Sequence, residues 1–218
     1  QAAALRMCQY PLGSGRHLFE RGRVGQHGDD DVAGGGHFGH AAARARLQQA
    51  FDGFVAAGDR DGQVLAAGAI TRVWILSAAW ASLDEWIATL AALLEGHADA
   101  IAPAVRLTGL SRLVYAAFVR QPQHPQLPDW ASRTLAELGT AAVGNETVMA
   151  GYSLMQYYHL TGGTAQQEQV VRRIDPMLAD PAITPVTRCY WLWTNSNYVL
   201  RTGAPRDAIV LIDQAVEL

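Results

Sequence analysis

From residue 41 to residue 218 the chain is a run of helical patterns interrupted at short, regular intervals. Breaks fall at Gly58-Asp59, Ala81-Ser82, Gly96-His97, 122–128, Gly144-Asn145, Gly162-Gly163, 180–185 and Gly203. Gly and Pro end helices, because one favours the unfolded chain entropically and the other lacks a donor. Most intervals between breaks suit one helix. Two helices together span 38 residues from Gly58 to Gly96 and 41 from Gly162 to Gly203, inside the ~34–47 residue range of stacked helix hairpins. Alternation of β-branched residues is absent, so no strand is expected. The fold predicted for 41–218 is all-α: three to four antiparallel helix hairpins stacked as a short right-handed solenoid.

Caps sharpen the segmentation. Ser82 precedes Asp84 and Glu85 as a capping box for a helix over 83–95, whose stripe is Leu83, Trp86, Ile87, Leu90, Leu93 and Leu94. Asn145 and Thr164 stand where N-caps are wanted, and Pro103 suits a first helical turn. Pro125 and Pro128 predict an extended stretch before a helix from Asp129. In the last segment Gly203 opens a helix with an apolar face of Ala208, Ile209, Ile212, Ala215 and Val216, and the alanines allow a neighbouring helix close.

Residues 1–40 read differently. The stretch 13–40 is rich in Gly, His and Arg, includes Asp29-Asp30-Asp31 and Gly34-Gly35-Gly36, and keeps no period. A poorly ordered segment is predicted, apart from a short helix over 2–9. His17, His27, His37 and His40 are its weak metal-ligand candidates, the type that binds Zn or Ni. They define one alternative function, a small metal-binding or enzymatic protein; the other is an incomplete fragment without independent function. Otherwise no metal or cofactor is expected.

Composition excludes several chemistries. All 17 basic residues are Arg, so Schiff-base, Ser-Lys and P-loop mechanisms lack their ammonium. No Gly-x-Ser-x-Gly elbow occurs. A net charge of -3 gives no field for nucleic acid, and no direct nucleic-acid binding is expected. The apolar stretch 64–83 is broken by Arg72, so no membrane span is expected. Cys8 and Cys189 are isolated thiols, which fits a cytoplasmic location. Gln1 and the periodic helix at Leu218 suggest a piece of a longer chain.

One set of residues reads as a surface. Tyr190, Trp193, Asn197 and Arg201 share a helical face, and Tyr152, Gln156 and His159 share a comparable one. Aromatic residues and Arg are favoured anchors for partners. Trp74, Trp80, Trp86 and Trp191 are assigned to packing, and Met149, Met155 and Met177 to gap filling.

Residues 186–218 resemble a tetratricopeptide-type repeat through Ser196, Gly203, Ala208, Ile212 and Ala215, with Asn195 where a large apolar residue is usual. Residues 47–94 are similar to the helical-repeat region of bacterial maltose-activator-type transcriptional regulators and signalling ATPases. Ala50-Phe51, Phe54, 56–59, Gly62 and 83–87 carry that likeness. The resemblance implies a non-enzymatic module of a larger protein, binding a protein, peptide or small-molecule effector in a concave groove. Tyr152, Gln156, His159, Tyr190, Trp193, Asn197 and Arg201 are its expected groove residues.

Overall fold

The computed structural model describes residues 34–77, 80–96 and 100–218, with only the backbone of 34–39. Among these residues it is all-helical, with no strand. Nine α-helices follow one another: α1 (Gly34–Ala57), α2 (Arg60–Leu76), α3 (Leu83–Gly96), α4 (Pro103–Arg120), α5 (Leu127–Thr140), α6 (Asn145–Thr161), α7 (Thr164–Ile174), α8 (Pro185–Arg201) and α9 (Pro205–Val216). Short 3-10 turns precede α3 and follow α7. Every predicted break separates two of these helices, although α2 ends at Leu76 and α7 at Ile174, a few residues before the break, each followed by a 3-10 turn. Gly58, Gly162 and Gly203 take positive φ at their breaks, which lets the chain reverse without Cβ strain.

The helices alternate between two environments. α2, α4, α6 and α8 pack side by side in series, and the intervening helices return against them: α3 on α2 and α4, α5 on α4 and α6, α7 on α6, α9 on α8. The series begins at residues 60, 103, 145 and 185, a spacing of about 40 that matches one helix pair. Polar ties repeat at the same interval. Asp61 accepts from the Ala102 N–H, 41 residues on, and Asn145 from the Thr184 N–H, 39 residues on. Each acceptor thus fixes the chain just before the next helix of the series.

The core is one continuous cluster running from α2 to α8, with Leu83, Leu94, Leu110, Leu113, Trp130, Leu138, Leu154 and Trp191 enclosed and Leu47 and Phe51 of α1 packed against it. Two glycines set how closely neighbouring helices approach, α4 against α2 and α6 against α7. A Cβ on Gly109 would lie 2.6 Å from Cγ1 of Val64 on α2, and one on Gly151 would lie 2.7 Å from Cγ1 of Ile174. These are contacts that only glycine permits.

Several local expectations change. α1 begins at Gly34, inside the segment predicted to lack regular structure, so residue 40 is not an element boundary. Extending an existing helix adds a hydrogen bond per residue without a new nucleus, and this offsets glycine's cost of about 1 kcal/mol each. Asn145 and Thr164 are first helical residues, not caps: Gly144 and Gly163 precede them. Asp84 spends its carboxylate on Arg120 and Gln121 of the next pair. α5 starts at Leu127, so Pro128 lies inside its first turn. On α9 only Ala208 is buried; Ile209, Ile212 and Val216 stand about half exposed, because the extensive packing of α9 is on α8. No described helix is long and apolar enough to cross a membrane.

Candidate functional site

The side-by-side helices α4, α6 and α8 present one shared wall, and five of the seven predicted groove residues meet at one end of it. Gln156, His159, Trp193 and Asn197 line a cavity of about 240 Å³, completed by Phe118, Met155, Leu160, Gln167 and Thr194. Arg201 stands at its rim. Its guanidinium donates to the His159 carbonyl at 3.0 Å and to Oε1 of Gln167. A cation at the exposed carbonyls of a helix end is favourable, so Arg201 locks the ends of α6 and α8 together and is not free to reach a partner. Tyr152 and Tyr190 lie nearer the start of the same wall, rings edge to face at 5.6 Å.

The cavity lining is uncharged. Gln156 Nε2 donates to Oγ1 of Thr194 at 2.9 Å, which leaves the Gln156 carbonyl oxygen open to a donor. Asn197 is tied to the Trp193 carbonyl through its amide nitrogen, again leaving its oxygen. Burial, reinforced by the Arg201 charge, holds His159 below the ordinary histidine pKa, so its imidazole is neutral near pH 7. Trp193 and Phe118 supply flat apolar walls. Met155, on the floor, is 1% exposed and deformable. Such a lining suits an apolar or aromatic group with one or two hydrogen-bonding atoms. It holds no paired nucleophile and base.

The tryptophans assigned to packing do pack: Trp86 and Trp191 are in the core and Trp74 and Trp80 lie against it. Of the weak metal candidates, His17 and His27 and the His37 side chain lie outside the described residues, as does the expected helix over 2–9. His40 is on α1. Among the described residues no group of three or more His, Cys, Asp or Glu could hold a metal ion.

The sequence reading did not nominate Phe118 and Tyr115. Tyr115 bonds the Tyr152 hydroxyl 37 residues on, at 3.3 Å, so the repeat interval applied to the groove residues of α6 points back to α4. A second cleft, about 370 Å³, also went unnoticed. It lies between α3 and α5, over Ala88, Ala91 and Ala92, with His124 stacked on Trp130 at 4.5 Å. Its carboxylates are occupied internally. Glu95 accepts from the Trp130 indole and Gln126. Asp84 is held below the usual carboxylate range by hydrogen bonds from Arg120 and Gln121. The wall of α4, α6 and α8 keeps more unsatisfied capacity and is the stronger site.

Compared with protein-family models, curated proteins and solved structures, the chain has no match.

Proposed function

We propose that residues 41–218 are a tetratricopeptide-like, right-handed solenoid of helix hairpins that binds a protein or peptide without catalysing a reaction. In this reading it is the repeat region of a larger bacterial transcriptional regulator or signalling ATPase, working in the cytoplasm. The observation that carries it is the cavity at residues 118, 155, 156, 159, 193 and 197, open on a wall shared by three helices of successive pairs. Its volume of about 240 Å³ lies below the ~300–1,000 Å³ usual for a whole small-molecule ligand. One aromatic or aliphatic side chain fills such a space, which favours a peptide or protein partner over a free effector.

A partner seated there touches α4, α6 and α8 at once. It therefore favours one packing of successive pairs over another, and shifts the population of whatever is coupled to that packing. Trp193 is the anchor that tests it. A partner selected from a displayed peptide library is expected to bind Trp193→Ala at least about tenfold more weakly, the cost of a central aromatic contact, with the far-ultraviolet circular dichroism unchanged. Equal affinity for the variant removes the cavity from the function.

A further inference from the structure

The wall extends beyond the cavity toward α2, and its character changes there. Gly68 on α2 has no side chain, and the stem of Arg112 on α4 lies across it: a Cβ at 68 would stand 3.2 Å from Arg112 Cγ. Arg72 is one turn beyond Gly68 on the same face of α2. Two arginines therefore stand on neighbouring stretches of adjacent helices, near enough for the Arg72 charge to oppose that of Arg112. Their charge balance is incomplete. Arg112 bonds Glu146 at 2.8 Å, with half of that carboxylate side chain exposed. Arg72 has no ion pair or hydrogen bond among the described residues. Arg106, Arg120, Arg133 and Arg172 each have a carboxylate partner; Arg72 has none, and its nearest charged neighbour by register is a second arginine.

Next to the arginines stands a hydroxyl pair. Tyr115 is one turn beyond Arg112 on α4 and meets the Tyr152 hydroxyl at 3.3 Å. Two hydroxyls carry two protons, and the bond between them uses one. The other is available to an acceptor. Burial raises both phenols above their ordinary pKa, so both stay protonated at any physiological pH. α2 and α4 run alongside in register, Asp61 against Ala102 and Gly68 against Arg112, so Arg72 and Tyr115, each one turn further on, come level at one region of the wall. The Arg72 charge acts on both Arg112 and Tyr152 there. Tyr190 closes it on the α8 side.

We propose that Arg72, Arg112 and the Tyr115–Tyr152 hydroxyl pair form an oxyanion-binding subsite, which takes a phosphate or carboxylate group of the molecule bound along this wall. The chemistry is that of guanidinium and phenol donors converging on an acceptor-rich anion. The subsite deepens the groove reading and rests on it for its biological meaning: the cavity holds an uncharged group, and the α2–α4 end holds a negative one. Glu146, the carboxylate already on Arg112, is exposed enough to turn aside when a stronger acceptor arrives.

The test uses the full chain and simple anions. Inorganic phosphate and acetate are titrated against chloride at matched ionic strength, with affinity read by calorimetry and thermal midpoint. Phosphate or acetate is expected to bind the native chain and raise its midpoint above that in chloride, and the tighter of the two identifies the group recognised. Arg72→Gln is expected to weaken that binding about tenfold or more, while Arg72→Lys, which keeps the charge, retains most of it. Tyr115→Phe is expected to weaken it severalfold without unfolding. If Arg72→Gln does not fold, Arg72→Met and Tyr115→Phe carry the comparison. No effect of either anion beyond chloride, or full binding by Arg72→Gln, overturns the subsite. Trp193→Ala separates the two readings. Anion binding is expected to survive it, so loss of peptide binding with intact phosphate or acetate binding leaves the subsite standing. Peptide binding without any anion effect leaves the cavity standing and removes the subsite.

Discussion

Gly109 is where the packing of successive helix pairs is most exposed to test. A Cβ there would stand 2.6 Å from Val64 Cγ1 and 3.1 Å from Leu94 Cδ2. The leucine tip can turn aside, but Val64 is fully enclosed and stiff at χ1. Gly109→Ala therefore combines an overpacking cost of about 1–3 kcal/mol with a helix-propensity gain of about 1 kcal/mol, a net loss of up to about 2 kcal/mol. Val64→Ala alone is expected to cost about 2–3 kcal/mol in lost methyl burial and cavity. In the double variant the new methyl occupies the space vacated by Cγ1. The two changes are thus expected to be less harmful together than their sum, by about 1–2 kcal/mol. Urea unfolding of the native chain, both single variants and the double measures this coupling. Gly53→Ala is the control: nothing lies within 4 Å of its added Cβ, so it should raise stability by up to about 1 kcal/mol. Additive losses at 64 and 109, within about 0.5 kcal/mol, would refute the contact between α2 and α4.

Other outcomes follow from buried polar groups. Asp175 accepts from the Trp191 indole at 2.7 Å and from Asn195, yet burial raises its pKa, and the Asn195 carbonyl oxygen has no partner. Asp175→Asn removes the buried charge and supplies that oxygen with a donor once the Asn195 amide turns. It is expected to match or exceed native stability at pH 7, whereas Asp175→Ala loses about 1–3 kcal/mol by orphaning the indole. Because the folded pKa is raised, the folded chain binds more protons, and the cost of the native carboxylate grows as pH rises above ~3.9. The advantage of Asn should therefore be smaller at pH 4 than at pH 7 in urea melts. His159 has the opposite sign of linkage: its folded pKa is lowered, so its contribution is complete above ~6.5 and is lost as pH falls below that value. Removing the nearby charge with Arg201→Ala should raise the His159 pKa in an imidazole proton titration, and an unchanged value would contradict their proximity.

The positions of the turns were legible because Gly and Pro break helices through local backbone physics, independent of tertiary context. That Gln156 and His159 of α6 and Trp193 and Asn197 of α8 lie on one wall was legible for a related reason: side chains three, four and seven apart share a face whatever that face meets. Long-range partners were not legible. Asp84 reads locally as part of a cap, but the Arg120 side chain 36 residues away holds it. Asn145 reads as a cap and serves instead as a strap to the chain before α8. Arg201 reads as an anchor offered outward, and is turned inward by the carbonyls ending α6. In each case a polar or charged side chain has a near and a far use, and only packing decides between them. The apolar stripe of α9 failed in the reverse way, since its amphipathic pattern states which face wants cover and not whether another helix supplies it. Phe118, Tyr115 and the Arg72–Arg112 pair needed the repeat interval projected onto α2 and α4, where the matching residues are chemically different.

Whether the wall of α4, α6 and α8 binds a partner, as proposed, is tested directly with methyl-labelled methionine. Met155 lies on the cavity floor, while Met177 is buried in the 3-10 turn after α7. In a fragment and peptide screen by nuclear magnetic resonance, bound molecules are expected to shift the Met155 methyl and the Trp193 indole, to leave Met177 unmoved, and to lose both shifts in Trp193→Ala. Hits that leave Met155 still and gather instead on His124 and Trp130 would contradict a binding wall on α4, α6 and α8.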